Sequence, residues 1–399
     1  MHPAEHLKGT KGDELRGRRV VLGVTGSIAA VDSVRLCREL IRHGAEVHVV
    51  ASREAQKIIH PNALEFASGL PVTTEIDGRV QHVALCGDVP DRADLLLIAP
   101  CTANTLSKVA CGIDDTSVTT FATTALGGGM PIIVVPAMHG SMMRNSAVLD
   151  NIERLKSMGV TVLEPRMEES KAKMPDIGHI VSTVISRIGR RDLKGLRILV
   201  IAGATEEPVD DIRVLTNRSS GETGIEIARA SFHRGAETEL WIGRSDAAVP
   251  SHISSRRFRT AQDLQGMVVA EEPRWDIVLF PAAVSDYTPE KADGKISSSE
   301  PQMTLTLTRN PKIIDSIRAK VVIGFKALSH VDDDRLVSES VALIERSKCS
   351  FVAANLVEDV SAGKTRVLLV DNKGAPEELK GTKAEVADKI LDRAARMVR

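Results

Sequence analysis

The sequence predicts an α/β fold built from two doubly wound parallel sheets, one in each half of the chain. Two observations lead to this prediction. Short apolar segments recur along the chain, many of them followed by a glycine-bearing turn and an amphipathic stretch of helical length. The opening pattern of the first half, residues 17–52, is also repeated in the second half, residues 195–243.

Both repeats carry the same signals in the same order. A basic residue and an apolar strand come first, then a glycine-bearing turn, then a helix that ends in HGAE or in RGAE. Glycine after the last helical turn is typical of a helix end, because it tolerates the left-handed backbone conformation. Each repeat is therefore a strand–helix–strand unit of the kind that forms Rossmann-like sheets.

Further apolar strands complete the two predicted sheets. The segment ADLLLIAPCTANT (residues 93–105) contains an all-apolar run typical of a strand covered on both faces, and Pro100 predicts its end. The other strands are MPIIVVPA in the first half and WDIVLFPAA, KVVIGFKA, CSFVAAN and RVLLVDN in the second. The charged segment SRIGRRDLKG separates the halves, which predicts domains at 1–190 and 191–399.

The composition excludes several classes of protein. With 43% hydrophobic and 26% charged residues, the 399-residue chain is typical of a globular protein. A formal net charge of -1 and 3% aromatic residues argue against nucleic acid as a partner. Five scattered cysteines without CxxC spacing indicate neither disulfides nor zinc, and no apolar stretch is long enough to span a membrane. We expect a cytoplasmic location.

Polar residues follow the strands of the first half, where ligands of open parallel sheets bind. In GVTGSIAA, Gly26 and Ser27 offer helix-start amides to a phosphate, although tight turns also use glycine for steric reasons alone. His82 is either an acid–base catalyst or a histidine at the surface or at the edge of the core. Asn104 is either a carboxylate ligand or a helix N-cap. The methionines of VPAMHGSMMRN either pack or close over a ligand.

Together these segments resemble the flavin-containing cysteine decarboxylases, in particular the decarboxylase half of the bifunctional enzymes of coenzyme A biosynthesis. That family has a Gly-Ser-Ile-Ala turn, a histidine before the third strand, a Pro-Ala-Ser-Ala-Asn-Thr-like tip and a Pro-x-Met-Asn-x-x-Met clamp. This chain has GSIAA, His82, APCTANT and PAMHGSM in the same order. The resemblance implies an N-terminal flavoprotein domain that decarboxylates 4′-phospho-N-pantothenoylcysteine with FMN.

The resemblance also implies roles for individual residues. His82 would be the base that assists oxidation of the substrate thiol; CO2 then leaves, and hydride returns to the resulting enethiol. Asn104 would orient the carboxylate so that the breaking bond is aligned, and Met138 and His139 would contact the substrate. The implied FMN-binding residues are Gly26, Ser27, Ser52, Thr102, Ala103 and Thr119, with Ser117–Thr120 near the phosphate.

The chain departs from the family pattern at two places. His139 stands where the clamp usually has asparagine, and the stretch EPRMEESKAKMPD lacks the cysteine of bacterial members. Because that cysteine protonates the enethiol in the family, we expect Glu169, Lys171 or Lys173 to supply the proton here. The alternative is an active ligase joined to a flavin half that serves only as an oligomerising scaffold.

The second half carries its own polar segments at strand ends. AGATEEP (residues 202–208) offers amides for a phosphate, and DDIRVLTNRSSG (residues 210–221) is either a binding segment or a solvated loop. Asp286 is a candidate Mg2+ ligand and Lys295 a candidate phosphate contact, unless each is a plain surface charge. SAGKTR (residues 361–366) lacks the first glycine of a phosphate loop and precedes a strand, so we interpret it as a turn.

These motifs resemble the ligase half of the same bifunctional family, which has Gly-Gly-Thr-x-Glu-Pro, Arg-x-x-(Ser/Thr)-Asn-x-Ser-Ser-Gly, Ala-Ala-Val-x-Asp-Tyr and Lys-Ile segments. The resemblance implies a C-terminal domain in which CTP activates phosphopantothenate as an acyl-cytidylate that cysteine then attacks. Asn217 would bind this intermediate, and Lys295 would neutralise phosphate charge. The implied substrate-binding residues are Arg213, Ala282, Asp286, Phe325 and Lys326. The resemblance also implies a homo-oligomer with trimeric flavin domains and dimeric ligase domains.

Overall fold

The computed structural model describes residues 2–271, 274–297, 302–359 and 363–398. The chain divides into two compact units, Met1–Arg191 and Asp192–Arg399. Each unit has a largely parallel sheet with a hydrophobic core on either face. The predicted α/β fold class is therefore confirmed. All five cysteines are free thiols.

The first unit begins with the strand–helix–strand pattern expected from the sequence. Its elements, in chain order, are β1 Arg19–Val24, α1 Ser33–Arg42, β2 Glu46–Ala51, α2 Pro61–Ser68, α3 Gln81–Cys86, β3 Leu95–Cys101, α4 Ala103–Cys111, α5 Ser117–Gly127, β4 Ile132–Pro136, β5 Met138–His139, α6 Gly140–Met143, α7 Ser146–Ser157, β6 Thr161–Val162, β7 Arg166–Glu168, β8 Lys171–Lys173 and α8 Ile177–Ile188.

The central sheet of this unit has the strand order β2-β1-β3-β4-β6, with all strands parallel. Neighbouring residues of β3 face opposite cores: Leu97 packs in one and Leu96 in the other. Burial on both faces explains the all-apolar run. The strand passes through Pro100 and ends at Cys101, one residue later than expected, with a register shift against β4.

A small antiparallel sheet of order β5-β8-β7 lies beyond β4. Strands β7 and β8 form a hairpin whose turn residues, Glu169 and Ser170, both have positive φ. Two central residues with positive φ match the backbone twist of a two-residue hairpin. The hairpin consists of the stretch in which the sequence lacks the expected cysteine.

The second unit repeats the strand–helix–strand opening and extends it. Its elements, in chain order, are β9 Arg197–Ala202, β10 Glu206–Pro208, β11 Val214–Thr216, α9 Glu222–His233, β12 Glu237–Ile242, β13 Ser254–Arg257, α10 Ala261–Ala270, β14 Ile277–Phe280, β15 Tyr287–Pro289, β16 Leu307–Arg309, β17 Val321–Leu328, α11 Asp333–Ser347, β18 Phe351–Leu356, β19 Thr365–Val370, β20 Glu377–Gly381 and α12 Lys383–Val398.

The large sheet of this unit has the order β13-β12-β9-β14-β17-β18-β19-β20. The first six strands are parallel and follow the 3-2-1-4-5-6 order of a Rossmann-type sheet. Strands β19 and β20 are antiparallel. The sequence did not predict this reversal; the short connection between β18 and β19 leaves no room for the crossover that a parallel strand requires.

The described helices include none with the length and apolar character that crossing a membrane requires.

Two helical glycines test the packing of the second unit. A Cβ added at Gly224 in α9 would lie 2.2 Å from the Cβ of Ala202, whereas one at Gly266 in α10 would meet nothing within 4 Å. We expect Gly224→Ala to lower the free energy of unfolding by about 1–3 kcal/mol through overpacking. Gly266→Ala should raise it by roughly 0.5–1 kcal/mol, because alanine favours helix.

Guanidinium unfolding followed by tryptophan fluorescence measures both effects, since the two tryptophans, Trp241 and Trp275, lie in this unit. Equal effects of the two variants would contradict the close contact between α9 and β9.

Candidate active sites

The first candidate site lies where the strand order of the first sheet reverses, between the carboxyl ends of β1 and β3. Thr25 follows β1 and is buried. Its Oγ1 donates to the Pro100 carbonyl at 2.8 Å and accepts from the Thr102 N–H at 3.0 Å. One hydroxyl therefore holds the two strand ends at a fixed separation.

Gly26 and Ser27 form the turn after Thr25. A Cβ on Gly26 would lie 2.5 Å from the Cβ of Glu54, so this position requires glycine for steric reasons. The Ser27 N–H donates to the Thr25 carbonyl at 2.8 Å, and the Ser27 hydroxyl makes no capping hydrogen bond. The steric explanation for Gly26 therefore holds, and the close backbone approach that it permits also suits a bound ligand.

Thr102, Ala103 and Asn104 begin helix α4 at the end of β3. Thr102 is the N-cap, because its Oγ1 accepts from the Thr105 N–H at 3.3 Å. Ala103 is buried. Asn104 is exposed, and its amide bonds to no residue in the described part of the chain. The N-cap interpretation of Asn104 is therefore wrong, and its amide is available to a ligand.

Three hydroxyl groups expected near the flavin are bonded to the protein. Ser52 Oγ accepts from the Ala55 N–H at 3.2 Å, and Ser117 Oγ donates to the last carbonyl of β2 at 3.1 Å. Thr119 Oγ1 accepts from the Thr116 N–H at 2.9 Å within the capping box of α5. These hydroxyls shape the edge of the site, while the first amides of α5 are the groups suited to a phosphate.

His82 lies in the short helix α3, half-buried and edge-on to Phe121 at a centroid distance of 6.4 Å. Its Nδ1 is buried and meets no hydrogen-bond partner in the described ranges. Val80, just before the helix, has a φ of 44°, which is strained for a β-branched residue. Packing against Phe121 thus holds the imidazole, and neither ring nitrogen hydrogen-bonds to a residue in the part of the chain that the structure describes, so one of them can accept a proton.

The two departures from the family pattern lie side by side. Met138 and His139 form β5, which pairs with β8 so that Met138 is opposite Ala172 and His139 is opposite Lys171. The segment expected to clamp the substrate and the hairpin without a cysteine are therefore one antiparallel sheet. A group on either strand is positioned by the same backbone hydrogen bonds.

The hairpin charges differ in their capacity to donate a proton. Lys173 Nζ lies 3.1 Å from Glu168 and 3.2 Å from Glu169. The hydrogen bond from Lys173 lowers the pKa of Glu169, so its carboxylate is charged at neutral pH and is a poor acid. The same contacts raise the pKa of Lys173. Lys171 has no ion pair with a described residue, which makes it the least committed of the three candidates.

The second candidate site lies between the carboxyl ends of β9 and β14, where the order of the second sheet reverses. Thr205 is buried and bridges the two ends: its N–H donates to the Ala283 carbonyl at 3.3 Å, and its Oγ1 accepts from the Ser285 N–H at 3.0 Å. Asn217 Nδ2 donates to the same Ala283 carbonyl at 3.2 Å. Asn217 therefore sits over this crevice, next to Ala282.

Arg213 and the loop that carries Lys295 meet at Asp210, a buried carboxylate. Asp210 accepts the backbone N–H of Arg213 at 2.6 Å and that of Ile296 at 3.1 Å. The Arg213 N–H, together with further backbone donors, lowers the pKa of Asp210 to about 2. Lys295 is exposed and has no ion pair among the described residues.

Asp286 does not match a ready-made metal ligand, because its carboxylate contacts the Lys312 ammonium. The described residues contain no cluster of three or more His, Cys, Asp or Glu that could hold a metal ion. Phe325 and Lys326 continue β17 past Gly324, which pairs with the last residue of β14, so they reach the same edge as Ala282. Lys326 lies 3.4 Å from Glu339.

Three residues that the sequence analysis did not single out organise these sites: Thr25, Thr205 and Asp210. The sequence signal for Thr25 and Thr205 is weak, because it consists only of a polar residue shortly after a strand. Asp210 accepts from the N–H groups two and three residues ahead, which is a local turn pattern. The sequence does not single it out, because the neighbouring Asp211 is the same residue type and accepts instead from the distant Gly294 N–H. The SAGKTR segment lies partly outside the described residues, and its last two residues begin β19.

Comparison with known proteins finds two family models, one for each of the two structural units. The Flavoprotein family model matches residues 8–189, and the model of the DNA/pantothenate metabolism flavoprotein C-terminal domain matches residues 193–397. The coenzyme A biosynthesis bifunctional protein CoaBC of Thermococcus kodakarensis is 43% identical over 406 residues, covering 100% of both chains. The chain belongs to the CoaBC family. CoaBC of Methanocaldococcus jannaschii is 36% identical, covering 100% of this chain and 98% of its own.

A solved structure of one part also matches. The DNA/pantothenate metabolism flavoprotein from Streptococcus pneumoniae is 26% identical, with a TM-score of 0.45, and covers 50% of this chain and 98% of its own.

Family membership confirms the resemblance inferred from the motifs. The chain is a bifunctional enzyme of coenzyme A biosynthesis, with a flavoprotein half and a ligase half. The similarity covers both halves, so it favours two active domains over a ligase joined to a degenerate scaffold.

Proposed function

We propose that this CoaBC-family enzyme joins cysteine to 4′-phosphopantothenate with CTP in residues 191–399. It then decarboxylates the product with FMN in residues 1–190, which yields 4′-phosphopantetheine. The observation that supports this proposal is that each unit presents polar groups at its own strand-order reversal, with different chemistry at the two edges. The first edge offers backbone amides and the side-chain amide of Asn104; the second offers cations beside an amide.

In the ligase half, a substrate carboxylate oxygen attacks the α-phosphorus of CTP and releases pyrophosphate. The cysteine amine then attacks the acyl carbon and releases CMP. Lys295 and the uncommitted donors of Arg213 neutralise the negative charge of the phosphates. Asn217 binds the acyl-cytidylate at the crevice marked by Ala283.

Asp286, Phe325 and Lys326 line the nucleotide pocket with Ala282. Mg2+ enters with the CTP phosphates, because Lys312 already neutralises Asp286.

The first unit has groups that fit FMN. Gly26 permits close approach to the backbone, the start of α5 offers amides for a phosphate, and the buried Nδ1 of His82 is unpartnered. When bound, the flavin supplies reversible two-electron chemistry. His82 accepts the thiol proton, and the free amide of Asn104 holds the carboxylate so that the breaking bond is aligned.

Net decarboxylation replaces CO2 by a proton, so the site also requires a final acid. Lys171 lies opposite His139 in the small sheet β5-β8-β7. It is the one of the three candidate acids that forms no ion pair with a described residue. Lys173 and Glu169 form an ion pair with each other. Met138 and His139 then contact the substrate from the paired strand.

We also propose a homo-oligomer with trimeric flavin domains and dimeric ligase domains. Ile28 and Val31, in the turn after Ser27, are 77% and 53% exposed, which suits a protein contact beside the flavin edge. The free thiols support a cytoplasmic location.

A direct assay tests both activities. Purified protein supplied with phosphopantothenate, cysteine, CTP and Mg2+ should release pyrophosphate and CO2 and form phosphopantetheine. Visible flavin absorbance should accompany the protein. Ligation without CO2 release would instead support the scaffold interpretation of the flavin half, and no CTP-dependent product would refute the ligase assignment.

His82→Asn should lower the rate of CO2 release by about 10²- to 10⁴-fold, because proton abstraction from the thiol is lost. Ligation should be unchanged. The control is His48→Asn, a histidine in β2 that contacts Glu46 and should leave both rates near wild type. Wild-type CO2 release by the folded His82 variant would contradict the assignment.

Lys295→Gln should lower the rate of pyrophosphate release by about 10²- to 10³-fold, because a positive charge aimed at the phosphates is removed. CO2 release from supplied phosphopantothenoylcysteine should not change. Lys291→Gln is the matched control, since Lys291 lies on the same loop and pairs with Asp211 at 2.7 Å. Equal loss in both variants would argue against a specific role for Lys295.

A further inference from the structure

A single buried carboxylate connects two segments of the ligase half that are far apart in sequence. Oδ1 of Asp210 accepts the N–H groups of Ile212 at 2.8 Å and Arg213 at 2.6 Å, within its own turn. Oδ2 accepts the Ile296 N–H at 3.1 Å and Arg213 Nη1 at 2.7 Å. One oxygen therefore forms the turn, and the other reaches across to the loop that carries Lys295.

The loop is held on both sides of Lys295. Arg213 Nη1 also donates to the Ile296 carbonyl at 3.2 Å, so the Asp210–Arg213 pair binds both backbone groups of Ile296. On the other side, the Gly294 N–H donates to Asp211 Oδ2 at 3.1 Å, and the Gly294 carbonyl accepts the Asp211 N–H at 3.3 Å. Backbone movement at Lys295 is thus restricted by its two neighbours.

The same carboxylate also orients Arg213. Asp210 engages Nη1 and leaves Nε and Nη2 without a partner in the described part of the chain. A guanidinium is a rigid planar fork, so fixing one nitrogen restricts the directions of the others. The turn closed by Asp210 also connects β10 to β11, the strand that leads directly to Asn217.

We propose that Asp210 is a positioning residue for ligation, which rests on the ligase function proposed above. It touches neither substrate nor nucleotide. It acts by holding Arg213 and the Lys295 loop in one arrangement, so that both positive charges are in place before CTP binds. Preorganised charge accelerates a reaction because no reorganisation is needed as charge develops.

Asp210→Asn in the full-length protein tests the proposal, because the variant keeps the shape and removes the charge. An amide cannot accept at both ends, so the contacts on Oδ2 are lost. We expect kcat for pyrophosphate release to fall about 10- to 100-fold, the range typical of residues that orient a functional group. KM for cysteine should change little.

A double variant separates positioning from a general loss of structure. If Asp210 acts through Lys295, adding Asp210→Asn to Lys295→Gln should cost far less than Asp210→Asn alone, because coupled residues are not additive. Full additivity of the two losses would overturn the proposal. Should Asp210→Asn fail to fold, Asp210→Glu keeps the charge at a changed length, and wild-type kcat in that variant would overturn it equally.

Asp276→Asn is the matched control at the opposite edge of the sheet. Asp276 also accepts a backbone N–H, from Arg197 at 2.9 Å, and pairs with Lys320 at 2.7 Å. Its loss should weaken the fold without lowering kcat. An equal fall in kcat would show that any buried aspartate of this unit has the same effect.

Hydrogen exchange provides a measurement that does not depend on activity. In Asp210→Asn, the amides of Gly294 and Ile296 should exchange faster than in the wild type, while those of β14 stay protected. Unchanged exchange would overturn the positioning role even if the ligase assay succeeds. Absence of CTP-dependent ligation in the wild type, with exchange altered as expected, would instead refute the proposed function.

Discussion

A buried threonine at the reversal of strand order holds each site together. Thr25 joins the ends of β1 and β3, and Thr205 joins the ends of β9 and β14. Neighbouring parallel strands diverge at this point, which leaves backbone groups without a ladder partner in a buried place. The threonine hydroxyl or amide satisfies them, so the crevice stays open to a ligand without costing unpaired polar groups.

Around each crevice, the polar side chains divide into two groups. Ser52 and Thr119 are buried and bonded to backbone, so their hydroxyls shape the edge of the flavoprotein site. Asn104 and Lys295 are exposed and unpartnered among the described residues, which leaves them free for substrates. The division follows from burial: a buried hydroxyl must bond within the protein, whereas an exposed amide or ammonium bonds to water until a ligand replaces it.

In the first unit, two departures from the family pattern that lie at separate places in the sequence are neighbours in the structure. His139 and Lys171 are opposite each other in one small sheet, so an altered clamp residue and a hairpin without cysteine form a single surface. The hairpin also supplies its own ion pairs, which hold Glu169 ionised. The chemistry available at this surface thus depends on which charges the hairpin leaves unpaired.

The sequence by itself determined the two α/β units and the strand ends at which both sites lie. Apolar runs and glycine turns are local signals, and parallel strands place their polar tips at one edge. Only the tertiary structure decided the internal use of the Ser117 hydroxyl, which donates to the Ala51 carbonyl, and the bridge made by Asp210. Each of these depends on which distant backbone group is unpaired nearby, and side-chain type does not specify that partner.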